Sequence, residues 1–204
     1  MRKIVILLVA ALCLAGCNKS EMKDVLTLGG KPKIVVLPDA NAGKGFFDVI
    51  TNVEYKTEVV KGADWLSITG SDEVVVTFDY YANNGFARES RIVLSCRERS
   101  DTISIRQAGL YEPFVELSQT SINIPCEGAS GVVDVRSNVP CACLEVISAS
   151  PQIRSAVLEN NLLKYEVRPT TKKDTKKYTI AVRFVNDWGE ATEETLTLVQ
   201  EPLK

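Results

Sequence analysis

The 204-residue sequence predicts an all-β protein: two β-sandwiches in tandem behind an export leader. Three observations carry that prediction. They are a repeated hexapeptide, hydrophobic alternation of period two, and an apolar N-terminal segment that ends in cysteine. Asp48-Val49-Ile50-Thr51-Asn52-Val53 returns 86 residues later as Asp134-Val135-Arg136-Ser137-Asn138-Val139. Lys33-Ile34-Val35-Val36-Leu37-Pro38 is echoed by Ser121-Ile122-Asn123-Ile124-Pro125, and Thr102–Gln107 by Thr195–Gln200. A period of this size is one small domain, so the repeat means two folded units rather than a solenoid.

The leader comes first. Arg2-Lys3 precedes an apolar run from Ile4 to Leu14 and then Ala15-Gly16-Cys17. That run is shorter than the roughly 20 residues a transmembrane helix needs, and the layout is that of a signal peptide over residues 1–16. Leu14-Ala15-Gly16-Cys17 resembles a bacterial lipobox. The resemblance implies cleavage before Cys17 and acylation of its thiol, and more than one acyl chain gives stable anchoring. Residues 17–32 are expected to be a lipidated, flexible tether, with Val25-Leu26-Thr27-Leu28 as a candidate first strand.

Composition removes whole classes of function. Without Arg2 and Lys3 the mature chain has 22 basic against 26 acidic residues, a balance that argues against nucleic acid or an anionic bilayer as the main partner. There is no histidine. Serine and cysteine nucleophiles that rely on imidazole are excluded, as are His-rich zinc sites. No cofactor site, metal site or catalytic constellation is expected.

The first unit is expected over residues 33–110. Val74, Val76, Phe78 and Tyr80 share one strand face; Ile103 and Ile105 point opposite to Thr102, Ser104 and Arg106. Such alternation marks half-buried antiparallel strands. Turn signals at Asp39–Gly45, Thr69–Asp72, Asn83-Asn84-Gly85 and Arg97–Asp101 divide the unit into six or seven short strands, the rhythm of an immunoglobulin-like sandwich.

The order of residues within this unit is distinctive. Thr51-Asn52-Val53 leads to Trp65-Leu66-Ser67-Ile68, then Asn83-Asn84, Arg88, Arg91-Ile92-Val93-Leu94 and a closing Ile103-Ser104-Ile105-Arg106-Gln107-Ala108-Gly109. It resembles a BACON domain, an immunoglobulin-like module of envelope and glycan-degrading proteins in Bacteroidetes. The resemblance implies a β-sandwich and carbohydrate or glycoprotein as the ligand class; many members of the family are spacers.

The second unit is expected over residues 114–204, after the short join Leu110-Tyr111-Glu112-Pro113, which predicts a semi-rigid rod. Tyr178, Ile180, Val182 and Phe184 alternate with Thr179, Ala181, Arg183 and Val185, and Asn186–Gly189 reads as a hairpin turn. Ser150-Pro151 is a candidate helix start. The Trp-Leu step is absent, and Gln200 is followed by Glu201-Pro202 rather than Ala-Gly, so this copy resembles a diverged BACON-like sandwich.

Candidate contact residues are aromatic. Trp188 in its turn leads, followed by Tyr80, Tyr81 and Phe86 around Asn83-Asn84-Gly85. For Trp188 the bland alternative is a ring folded back over its own hairpin, and for the residues around the Asn83-Asn84-Gly85 turn it is plain exposure beside a loop. Asn52 is expected to bond a local turn, with a sugar hydroxyl as the alternative. The lysines from 172 to 177 suit an acidic glycan, lipid head groups or plain solvation.

Of the cysteines after Cys17, Cys126 is the candidate disulfide partner of Cys141 or Cys143; the latter two are placed on one strand face, and Cys96 in the core. Two functions compete. One is a non-catalytic, lipid-anchored envelope protein, placed at the outer membrane, that binds or presents carbohydrate or glycoprotein. The other is a structural spacer or protein-docking subunit without glycan affinity.

Overall fold

The structure, a computed structural model, describes residues 25–28, 33–97 and 99–203. The signal peptide, Cys17 and most of the tether lie outside the described residues. Within them the chain is built of strands, with one 3-10 turn at Cys141–Cys143.

Eight strands make the first sandwich. β1 (Leu26–Leu28), β3 (Gly43–Thr51), β6 (Val75–Tyr80) and β5 (Leu66–Ser71) form one sheet in that order. The other runs β2 (Ile34–Leu37), β8 (Arg99–Gln107), β7 (Arg88–Cys96), β4 (Lys56–Lys61). Inward side chains of the two sheets meet in a core that includes Phe47, Leu66, Val76, Phe78, Ile92, Leu94 and Ile105, with Cys96 at its edge. Phe46 and Phe47 divide as the pleat requires, the first 65% exposed and the second 6%.

The second sandwich repeats this plan strand for strand. β9 (Val115–Leu117), β11 (Ala129–Ser137), β14 (Leu162–Val167) and β13 (Ile153–Glu159) make one sheet. β10 (Ser121–Ile124), β16 (Ala191–Gln200), β15 (Lys176–Val185) and β12 (Glu145–Ser148) make the other. In both sandwiches one short strand joins its sheet in parallel, β2 along β8 and β10 along β16, while the other pairs are antiparallel. This is the strand order of immunoglobulin-like sandwiches, and β3 and β11 share one alternation of burial.

The repeated hexapeptide is a clasp. Asn52 Oδ1 accepts the N–H of Val25 at 2.6 Å, and Asn138 Oδ1 accepts that of Phe114 at 2.9 Å. Thr51 Oγ1 and Ser137 Oγ donate to the Val25 and Phe114 carbonyls. Each pair ties the chain entering a sandwich to the end of its first long strand, β3 or β11. The bond of Asn52 is therefore to backbone 27 residues away, not to a local turn. With Leu26 8% exposed in the core, the first sandwich also begins inside the expected tether.

Three further expectations are corrected. The helix after Ser150-Pro151 is strand β13, because Ile153 and its alternating followers pair with β14; Ser150 Oγ accepts the Gln152 N–H in a turn instead. Cys141 and Cys143 lie on the 3-10 turn rather than a strand, and Cys96, Cys126, Cys141 and Cys143 are all free thiols. A bridge from Cys126 has no route. Cys126 lies where Lys176 pairs with Gln200, and Cys141–Cys143 leads into Glu145, opposite Arg183. Seven residues of β15 separate those ends, about 23 Å at strand rise, beyond the roughly 7 Å a disulfide spans between Cα atoms.

Candidate functional site at the joint between the sandwiches

The markers of the first unit converge on the pole that faces the second. Arg88 is half-buried, its guanidinium 4.2 Å from the Trp65 ring centroid. Its Nε and Nη2 donate to Gln107 Oε1 at 3.0 and 2.8 Å, and Nη2 also reaches the Tyr81 carbonyl at 2.8 Å. Burial draws the Arg88 pKa down, against the opposing field of Asp64. Gln107, fully buried, donates through Nε2 to the carbonyls of Asn41 and Tyr81. Asn83 Nδ2 donates to the carbonyls of Phe86 and Ala108, and its Oδ1 accepts the Gly85 N–H. Gly109 passes so near this loop that a Cβ would sit 2.5 Å from the Gly85 oxygen. These residues close the pole of the sandwich. They are scaffold.

Onto that pole docks the β15–β16 hairpin of the second sandwich. Asn186 shapes the hairpin: its Oδ1 accepts the N–H groups of Trp188 and Glu190, both at 2.9 Å, and Gly189 adopts φ +81°. The tip so fixed presents Asp187 and Trp188. Trp188 Nε1 donates to the Arg88 carbonyl at 2.9 Å, and the Arg106 guanidinium lies 6.0 Å from its ring centroid. Asp187 accepts the Glu89 N–H at 3.3 Å and pairs with Lys61 Nζ at 3.3 Å. Beside them Phe86 meets Phe184 with centroids 5.4 Å apart, a tilted aromatic pair.

Glu89 organises the receiving surface. It is 3% exposed, and its two carboxylate oxygens accept from Arg91 Nε and Arg106 Nε, each at 3.0 Å. Burial by itself would raise the carboxyl pKa; the bonds and charges of Arg106 and Arg91 outweigh it and hold the group below its ordinary value. The join is clamped too, with Tyr111 N–H on the Gly85 carbonyl and Asn138 Nδ2 on that of Glu112.

The sequence-predicted contact residues thus have different surroundings. Trp188 and Phe86 are the two sides of the joint. Tyr80 packs against the core through Phe78, with ring centroids 6.1 Å apart. Tyr81 is 68% exposed. Sequence reading missed Glu89, Arg106, Lys61 and Asp187. Glu89 alternates outward on β7, so its arginine partner across the sheet emerges only with the register that sets it opposite Arg106.

An open cleft of about 560 Å3 lies at the other pole of the first sandwich, lined by Thr51–Tyr55 and Ser71–Glu73. There Asp72 accepts the N–H groups of Val74 and Val75, which hold its carboxyl below the usual range. These bonds make it a turn residue. Among the described residues no cluster of three His, Cys, Asp or Glu side chains is arranged to hold a metal ion.

Residues 1–18 match the model of the prokaryotic membrane lipoprotein lipid attachment site, so the chain carries a lipoprotein attachment site at its N-terminus and is membrane-associated through lipid. No curated protein sequence matches the chain. Among solved structures, a chimeric titin Z1Z2 tandem is 11% identical over 88% of this chain and 100% of that one, with a TM-score of 0.42. Titin Ig tandem domains A164–A165 are 9% identical over 89% and 100%, with a TM-score of 0.35. An endo-fucoidan hydrolase of glycoside hydrolase family 107 is 12% identical over 88% of this chain, at a TM-score of 0.35. This chain spans 29% of that enzyme's length.

Proposed function

We propose that the protein is a non-catalytic, lipid-anchored component of the cell envelope, outer membrane included, that acts as a stiff spacer. The observation that carries this reading is the joint. Trp188, Asp187 and Phe184 of one sandwich meet Arg88, Glu89, Lys61 and Phe86 of the other, while a clamped four-residue join limits the hinge. Domains in one chain move against each other by default unless their interface is built to prevent it. Here the largest aromatic side chain of the second unit is spent on that contact. Single-molecule energy transfer between dyes at residues 44 and 164 is the test. A narrow distribution that broadens in Trp188→Ala supports the spacer, and a broad one in the unaltered protein refutes it.

Carbohydrate or glycoprotein binding is the second reading, favoured by Tyr81 and Tyr111, which stand 68% and 55% exposed near the joint. A glycan array separates the two. Binding that disappears in Tyr81→Ala selects the carbohydrate reading, and no binding at all leaves the spacer.

A further inference from the structure

The pole of the second sandwich farthest from the joint is chemically unlike the rest of that unit. Nine basic residues lie between positions 114 and 203. Arg136, Arg154, Lys164, Lys176 and Arg183 each hold a carboxylate: Glu116, Glu166, Glu159, Asp174 and Glu145. Arg168, Lys172, Lys173 and Lys177 have no ion pair among the described residues, and all four are exposed. They fall within ten residues, in the loop after β14 and at the start of strand β15. The acidic groups nearby are Asp174, already held by Lys176, Glu127, bonded to the Cys126 thiol, and Glu201.

Leu203 stands among these lysines, 46% exposed, its N–H bonded to the Lys172 carbonyl. Solvated lysines around an exposed aliphatic side chain suit a surface of phosphate head groups, where each cation gains from the surface potential and the leucine enters the interface. A polysaccharide would be better served by a groove with stacking rings. The exposed aromatic residues, Phe46, Tyr81 and Tyr111, are all elsewhere.

Position decides which surface is met. Val25, the residue nearest the lipid attachment site that the structure describes, is bonded at the opposite pole of the first sandwich. β7 with nine residues and β15 with ten lie between, about 60 Å of strand. We propose that this lysine pole docks on anionic phospholipid of a second, facing bilayer, so that the protein links two membrane surfaces. The distance between the poles rests on the spacer reading; the charge cluster does not.

The test uses the full lipidated protein in phosphatidylcholine vesicles of one colour, mixed with phosphatidylglycerol-containing vesicles of another. Fluorescence cross-correlation should report joint particles, lost at high salt and reduced about tenfold or more in the K172Q/K173Q/K177Q variant, but unchanged in Lys56→Gln. The proposal is overturned by absent cross-correlation, by an unaffected triple variant, or by retention on dextran sulfate without vesicle linking. It is equally overturned if the pole reaches only phosphatidylglycerol placed in the protein's own vesicle. Linking that persists alongside a broad energy-transfer distribution would remove the spacer and leave the docking pole.

Discussion

The two sandwiches share a strand order, a clasp and a buried glutamine at the end of the last strand, yet they finish that pole in opposite ways. Gln107 and Gln200 are both fully buried and both donate through Nε2 to loop carbonyls. In the first sandwich Gln107 Oε1 takes two bonds from Arg88, the residue paired with it across β7 and β8. In the second, the residue paired with Gln200 is Lys176, whose ammonium goes to Asp174, and Gln200 Oε1 has no partner among the described residues. The planar fork of arginine can bond a buried amide and lie over a ring at once; a lysine cannot. One pole is completed and then covered by a neighbour. The other is less satisfied and open.

Four measurements would break or sharpen that contrast. The largest effect is expected for Gln107→Ala, which removes two donor bonds and takes from Arg88 its side-chain acceptor, leaving Nε unbonded and Nη2 only on the carbonyls. Urea unfolding should show a loss of about 3 kcal/mol, against about 1 kcal/mol for Gln200→Ala, where an orphaned oxygen is removed as well. Equal losses would mean that the two poles are equivalent after all. Next is Trp188→Ala, expected to cost about 2 kcal/mol of coupling between the sandwiches. Calorimetry should then resolve two melting steps in place of one cooperative transition.

A gain is expected from Lys176→Arg. It supplies Gln200 Oε1 with the donor that Arg88 supplies to Gln107, and should add about 1 kcal/mol to the midpoint-derived stability of the second unit. No gain would show that the pole differs by more than this residue. Smallest is a response to acid. Glu89 has a folded pKa below its ordinary 4.5. Its contribution is complete above that value and is lost as pH falls through the folded pKa. The stability difference between the parent and Glu89→Gln should therefore shrink on acidification, and a difference independent of pH would remove Glu89 from the joint.

Much of the fold was legible because its determinants are local. Alternation at Val76 and Phe78 or at Ile180 and Val182 assigns strands and faces without reference to anything distant. The hexapeptide announced two units. What escaped were long-range facts. Ile153–Glu159 carries helix-start chemistry at Ser150-Pro151, and only the partner β14 makes it a strand. Asn52 has the look of a turn residue, and its bond lies 27 residues back. Trp188 reads as the leading contact residue, with packing over its own hairpin as the alternative; its indole N–H bonds the Arg88 carbonyl of the first sandwich. Sequence alone could not show that a neighbouring domain receives it, because that contact is set by the relative placement of two folded bodies.

The joint also limits how many copies such a design can chain together. A third sandwich appended after the second would bring its own hairpin to a socket that is no longer there. Register places Lys177 where Glu89 stands and Val199 where Arg106 stands, and loop alignment at Thr170 and Asn83 puts Lys173 in place of Phe86. Growth by duplication would stall at two unless that end were rebuilt.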